Sequence, residues 1–517
     1  MTQTNFLVLI TDQHRADWLG CYGHPVVKTP HIDSLAQRGV RFSNFNVASP
    51  VCMPNRASLF TGRYPSVHGL RYNGCVLPQS ANTFVDVLRQ AGYATATIGK
   101  SHLQPFTDRV SSSFKDFAAG AIEEAWKPDA RDYGQEAPDR YNTADRYAFR
   151  TPYYGFDHVD MVTAHGDCAG GHYQQWFREQ ASNWRELRDP TNQLPHDYTC
   201  YQAYRTPIPE ALYHTSYIGN QAAAWLRQQA NAEQPFFLFV SFPDPHHPFN
   251  PPGKYWDMYD PEDFSVDIPY HAHITPPPLQ YLREQFEQGL LPVTPQIAFM
   301  AKDRHIQEAM ALSAGMITMI DDAIGGVLGA LKQSGKDDDT IVLFTSDHGD
   351  YLGDSNLMLK GAWARPAINR VAFIWADPKA PGGVEDTALS STVDIGPTIL
   401  DRAGLRPYFG IQGRSLLPQL NGEPGREALL IEFNDSGYRL GFRSPARVRT
   451  LLTERWQLTV YHGQSWGELY DRHADPCQVH NVWNVADYHP IRAELMERLM
   501  HQVIGIMDES PRAHRQA

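Results

Sequence analysis

Short apolar runs rich in β-branched and aromatic residues recur at positions 6–11, 94–98, 236–242, 341–346 and 371–375, each the length of one buried strand. Between them the apolar positions switch to a spacing of three to four residues, at 32–38, 83–91, 305–331 and 393–403, which predicts amphipathic helices. The last two end near Gly335 and Gly404. Strands that are apolar throughout, alternating with helices, predict an α/β fold: a mostly parallel sheet flanked by helices on both faces.

The alternation lapses from about residue 105 to 234, a stretch rich in Tyr, Trp, Asp and Pro. It lapses again over 247–295, which carries Asn250-Pro251-Pro252 and Thr275-Pro276-Pro277-Pro278. Both are expected to be insertions that shape a substrate pocket. Beyond the turn-rich Asn421-Gly422-Glu423-Pro424-Gly425 the pattern becomes short strands at 428–433, 448–453, 457–461 and 468–470, then a helix at 490–506. The expected organisation is a catalytic α/β domain over 1–420 and a small C-terminal α+β subdomain, an antiparallel sheet plus a helix, over 421–517.

Composition mainly excludes. With 42% hydrophobic and 20% charged residues and no uninterrupted apolar run near the roughly 20 residues of a membrane span, no membrane partner is expected. The opening apolar stretch is short and lacks a basic leader, so it reads as a first strand and a cytoplasmic location is expected. Asp plus Glu outnumber Lys plus Arg by 58 to 45 without a basic stripe, which argues against nucleic acid. Any anion site must then be a local cluster of cations. Six cysteines at 21, 52, 75, 168, 200 and 477 have the spacing of neither a disulfide framework nor a zinc site.

One of them stands apart. In Cys52-Met53-Pro54-Asn55-Arg56-Ala57-Ser58-Leu59-Phe60-Thr61-Gly62-Arg63, Pro54 suits the first turn of a helix and Gly62 its end, so Cys52 falls at a helix N-terminus. Free amide N–H groups there stabilise an anion, and Arg56 lies one turn along. Taken alone, Cys52 is open to two further readings: a small buried thiol, or a thiolate nucleophile of the Cys–His kind. Asp12-Gln13 and Asp347-His348 each follow a strand directly, at the sheet edge where ligand sites gather. Lys100 and His102 follow the strand at 94–98, and strand alternation would project both to one side.

Cys-x-Pro-x-Arg followed by Thr61-Gly62-Arg63 resembles the modification motif of the type I sulfatase family, in the alkaline phosphatase superfamily. The resemblance extends to Leu7-Val8-Leu9-Ile10-Thr11-Asp12-Gln13, Gly99-Lys100-Ser101-His102, Pro245-His246-His247-Pro248-Phe249 and Thr345-Ser346-Asp347-His348-Gly349-Asp350. It implies that a maturation enzyme oxidises Cys52 to formylglycine, whose gem-diol attacks a sulfate monoester and forms a covalent sulfo-enzyme hemiester. Asp12, Gln13, Cys52 in its oxidised form, Asp347 and His348 would then hold one divalent cation. The imidazole of His348 favours manganese, with calcium or magnesium open. Gln13 departs from the two aspartates usual in the first motif, which makes the ligand set less negative.

The same resemblance makes Arg56 and Lys100 stabilisers of the nucleophilic oxygen and His102 the base for its second hydroxyl. His246 and Lys360 would bind the ester and protonate the leaving oxygen. Asn73 resembles a substrate-contacting Asn, although Asn73-Gly74 is also a plain turn signal. His24, His165, His172 and His214 lack motif support and are taken as structural or pocket residues. The nearest subgroup holds arylsulfatases, choline sulfatases and phosphonate monoester hydrolases. The last carry Tyr and Thr where this chain has Lys100 and His102, so the expected substrate is a small aryl sulfate ester, with side activity on phosphonate monoesters and phosphodiesters. A phosphonate monoester hydrolase/phosphodiesterase is the alternative, and a non-catalytic, metal-stabilised binding protein a more distant one. A homo-oligomer, dimer or tetramer, is expected by the same analogy.

Overall fold

The computed structural model describes residues 4–108, 124–127, 129–270, 276–290 and 297–515. Its main sheet contains β1 (Asn5–Thr11), β2 (Val40–Phe42), β3 (Ala94–Gly99), β4 (His158–Thr163), β5 (Gly170–Gly171), β6 (Phe236–Ser241), β7 (Thr340–Ser346), β8 (Phe373–Ala376) and β9 (Val384–Asp386). The spatial order is β9-β2-β8-β7-β1-β6-β3-β4-β5. The central run β7-β1-β6-β3-β4 is parallel throughout. Antiparallel β8 and β5 join its two sides. The mostly parallel α/β sheet expected from the hydrophobic pattern is therefore present.

Strand β1 shows why its sequence is apolar without alternation. Leu7 and Leu9 enter one core layer, while Phe6, Val8 and Ile10 enter the other. Each such side chain, fully buried, contributes about 1.5–3 kcal/mol. The first layer is closed by α1 (Pro30–Gln37), α4 (His214–Gln228) and α5 (Asp303–Gln333), the second by α2 (Cys52–Thr61), α3 (Phe84–Gln90) and α6 (Ile395–Arg402). Helix α5 is long and apolar enough, by length and composition, to cross a membrane, although no single run in it is uninterrupted. Within the fold 67% of its most apolar window is buried, as in a core helix.

After these come β10 (Ala428–Asn434), β11 (Arg447–Thr453), β12 (Trp456–Tyr461) and β13 (Gly467–Asp471), an antiparallel meander, and α7 (His489–Gly505). Leu430, Leu451, Leu458 and Leu469 pack with Leu495 and Leu499 of α7, and the same cluster takes in Ala48, Tyr64 and Val393 from the main body.

The two expected insertions hold more regular structure than their composition suggests. Residues 105–234 contain β4, β5 and α4, and residues 247–295 contain the helix Pro277–Glu287. Strand β4 was hidden by Asp160, a buried carboxylate in mid-strand that accepts from Tyr217 Oη at 2.6 Å and pairs with Arg146 at 3.1 Å. Residues 109–123 and 128 of the first stretch, and 271–275 and 291–295 of the second, lie outside the described residues.

Candidate active site

The register of the central strands brings their carboxyl ends level: Ile10 and Gly99 both pair with Ser241, and Thr11 pairs with Ser346. Asp12 and Gln13 leave β1, Lys100 to His102 leave β3, His246 follows β6, and Asp347 and His348 leave β7, all at one edge. Gly99, at φ +107°, lies so close to the next strand that a Cβ would sit 1.9 Å from the Ser241 carbonyl oxygen. A larger residue there would part β3 from β6 beneath the site.

Helix α2 begins at Cys52, carries Pro54 in its first turn and ends at Gly62 with φ +60°. Its first residue meets the strand ends. Cys52 Sγ is 3.0 Å from His348 Nε2, 3.3 Å from Lys360 Nζ and 3.7 Å from Asp12 Oδ1. Asp12, Cys52, Asp347 and His348 are all buried, with donor atoms within 4.8 Å of one another.

The donor set suits a divalent cation. His348 Nδ1 donates to the Gly349 carbonyl at 2.8 Å, which leaves the Nε2 lone pair aimed into the cluster, as a metal-binding imidazole requires. A positive centre already stands among these groups: Lys360 Nζ is 2.7 Å from Gln13 Oε1 and 3.2 Å from His348 Nε2. Gln13 is held by its other atoms, its Nε2 donating to Asp350 at 2.5 Å and its backbone N–H to Asp347 at 3.1 Å. Its φ of +58° is the kind of backbone strain that a functional site retains.

Arg56 is buried and fully engaged. It donates to Asp347 at 2.7 Å, to the Lys100 carbonyl at 2.8 Å and to Ser241 Oγ at 2.9 Å. It thus ties α2 to three strand ends, and its charge is felt at Cys52. Lys100 is ion-paired with Asp12 and lies 2.8 Å from His165 Nε2. His246 Nδ1 donates to the His247 carbonyl at 2.7 Å, so its bare Nε2 accepts from Lys360 at 3.2 Å. Asn73 is exposed, and its Oδ1 accepts the Met53 N–H at 3.2 Å, beside the start of α2.

The expectation that strand alternation would carry Lys100 and His102 to one side needs correcting. Strand β3 ends at Gly99, and His102 takes a left-handed φ of +58° because Glu136 collects the backbone N–H groups of His102, Leu103 and Gln104 at 2.9–3.0 Å. His102 stacks on Phe106, at 4.1 Å between ring centres, lies close enough to Lys100 and Arg56 to feel their charge, and has a buried Nδ1 with no partner among the described residues.

Electrostatics follows from this crowding. Burial, then Lys100 and Arg56, hold His102 well below an ordinary histidine, and burial with His165, His247 and Lys360 does the same for His246. Burial and Asp12 resist ionisation of Cys52, yet Lys360, His348 and Lys100 bring its thiol below the usual value. Burial opposes the Asp12 carboxylate, and Lys100 with its neighbours nonetheless keeps it ionised far below the usual range.

His165, read from the sequence only as a structural or pocket residue, lies against the cluster. It stacks on His246 at 3.6 Å with rings 7° apart, and it follows β4, the strand that Asp160 concealed. Recognising β4 would have placed it at the same sheet edge. His14, His172 and His214 are buried in the fold, where His172 ties the Met161 N–H to the Tyr147 carbonyl.

A family model described as Sulfatase matches residues 4–405, more than half of the chain. The chain belongs to the sulfatase family. A second model, the C-terminal region of N-sulphoglucosamine sulphohydrolase, matches residues 366–504 of this sulfatase. It is 28% identical to the arylsulfatase of Clostridium perfringens over 492 residues, covering 94% of this chain and 91% of that one. It is 26% identical to the choline-sulfatase of Rhizobium meliloti, covering 92% and 82%. Its fold superposes on the crystal structure of the phosphonate monoester hydrolase of Agrobacterium radiobacter with a TM-score of 0.76, at 25% identity and over 98% and 97% of the two chains. The sulfatase is thus a sulfuric ester hydrolase in the alkaline phosphatase superfamily.

Proposed function

We propose that this sulfatase hydrolyses aryl sulfate monoesters with a nucleophile made from Cys52, and turns over phosphonate monoesters and phosphodiesters less well. The observation that carries the reading is the position of Cys52 Sγ, at a helix N-terminus and within 3.3 Å of both His348 Nε2 and Lys360 Nζ. Oxidation of Cys52 to formylglycine would supply a hydrated aldehyde with one hydroxyl to attack and a second to expel the product.

Asp12, Gln13, Asp347, His348 and the Cys52 side chain would hold a divalent cation, manganese by preference and calcium or magnesium otherwise, which supplies Lewis-acid activation. The chain's own residues do the rest. Lys100 and Arg56 add positive charge around the attacking oxygen. Lys360 donates the proton to the departing aryl oxygen, and His246, whose Nε2 can only accept in this tautomer, orients the ammonium. His102, neutral and with an unpartnered nitrogen, takes the proton whose loss lets sulfate leave.

A second reading, a phosphonate monoester hydrolase, draws on the structural likeness to the Agrobacterium enzyme. Against it stand Lys100, paired with Asp12, and His102. Steady-state kcat/KM on an aryl sulfate, an aryl phenylphosphonate and an aryl phosphodiester separates the two. The sulfate should be preferred; a higher value for the phosphonate would reverse the assignment.

A further inference from the structure

Behind the loop that carries Asp347, His348 and Gly349 lies a cleft that the ester chemistry does not use. Residues 366–370 press against that loop, where the Gly349 N–H donates to the Ile368 carbonyl at 3.0 Å. Pro366, Asn369 and Arg370 of this segment wall a cavity of about 1070 Å³ between the edge of the main sheet and strands β11 to β13. Such a volume accommodates a small-molecule ligand.

Its charges are unevenly matched. Arg426 is paired with Asp394, and Arg455 with Asp471. Arg370 and Arg472 form no ion pair among the described residues, although Glu427, Glu454 and Glu494 share the cavity wall. Arg472 is aimed by neutral acceptors: the Thr453 carbonyl, the Glu454 carbonyl at 3.2 Å and Asn44 Oδ1 at 2.9 Å. Burial and the neighbouring Arg370 charge outweigh the opposing Glu454 carboxylate and push Arg472 down to about 10. Beside them Asn369 is 1% exposed, and neither atom of its amide has a partner among the described residues. Glu454 offsets part of the Arg472 charge and Asp17 part of the Arg370 charge, yet two guanidinium groups without an ion pair and a buried amide without a partner among the described residues are well matched to an oxyanion.

We propose that Arg370, Arg472 and Asn369 form a second binding site for a tetrahedral oxyanion, taken as free sulfate or as the sulfate group of a larger molecule. The site is separate from Cys52 and does not depend on how that residue reacts. Arg370 makes no side-chain hydrogen bond or ion pair among the described residues and acts on Asp17 and Arg472 through its charge, so Arg370→Gln, which keeps a polar side chain, is the variant least able to disturb folding.

Crystals grown without sulfate and soaked in selenate should show an anomalous peak in contact with both guanidinium groups. Calorimetric titration at low ionic strength with sodium sulfate should weaken at this site by at least about tenfold in Arg370→Gln, the usual worth of a charged hydrogen bond. Tighter binding of a monosaccharide monosulfate than of sulfate would mark the carried group as the ligand, and the reverse would mark the free ion. No selenate at Arg370 and Arg472 in the unaltered protein, or unchanged affinity in Arg370→Gln, would overturn the proposal.

Discussion

Two regions of this sulfatase bury charge, and they do it in opposite ways. In the C-terminal sheet Glu468 is fully enclosed and fully satisfied: Arg365 meets it at 2.7 Å, Tyr470 donates at 2.6 Å, Tyr461 donates as well, and Arg365 also reaches Tyr470 Oη at 3.0 Å. At the edge of the main sheet the arrangement is incomplete. The Lys360 ammonium faces two imidazole lone pairs and a thiol, His102 has a bare nitrogen, and Gln13 and His102 hold left-handed backbone. Buried charge alone does not mark a functional site. Charge left unfinished, and held that way by strain and by fixed tautomers, does.

The contrast can be broken at either end. Arg365→Ala strands Glu468 without its cation and should cost about 3–5 kcal/mol in denaturant-measured stability, with kcat per folded molecule kept near normal. A large loss of kcat at unchanged stability would mean that the C-terminal network serves the chemistry. Lys360→Met should do the converse. It should lower kcat by about a hundredfold to a thousandfold, as removal of a group that stabilises leaving-group charge does, while shifting Tm less than Arg365→Ala.

A smaller effect tests the residue that motifs did not reveal. His165→Ala removes the stacking partner of His246 and a neighbour of Lys100, and should reduce kcat by about tenfold with little change in stability. No change in kcat would return His165 to a packing role. The smallest effect concerns pH. Burial, reinforced by Lys100, holds His165 down at about 3, and His102 and His246 also lie well below an ordinary histidine. The unfolded chain takes up these protons below about pH 6.5 and the folded chain does not, so stability is full above that value and falls as the pH drops through it. The chelated protein should therefore lose more of its melting temperature between about pH 7.5 and about pH 5 than the His165→Ala variant does. An equal change in the two proteins would contradict a neutral His165 at the site.

How far the sequence could be read follows the same division. Strands β1, β6 and β7 have strongly apolar runs because both faces are buried, β3 a weaker one, and Asp12, Lys100 and Asp347 follow three of these strands to one edge. Helix α5, expected at 305–331, spans Asp303–Gln333 for the same reason. Strand β4 escaped because a satisfied carboxylate, Asp160, interrupts its apolar run, and His165 escaped with it. Periodicity does not report a charge whose partners are distant in sequence. The position of His102 was unreadable for a related reason: Glu136, 34 residues away, sets its backbone by capturing three N–H groups. Lys360 could be placed only by its distance from a motif, yet it stands at the centre of the cluster.

The central claim is that Cys52 becomes the nucleophile by oxidation, and the mass of the tryptic peptide spanning residues 42–56 tests it most directly. In protein produced together with a formylglycine-generating enzyme, the account predicts a peptide that has lost the elements of hydrogen sulfide and gained one oxygen atom, and that forms a hydrazone with a hydrazine reagent. A peptide with an alkylatable thiol at Cys52, from protein that is fully active on aryl sulfates, would contradict it.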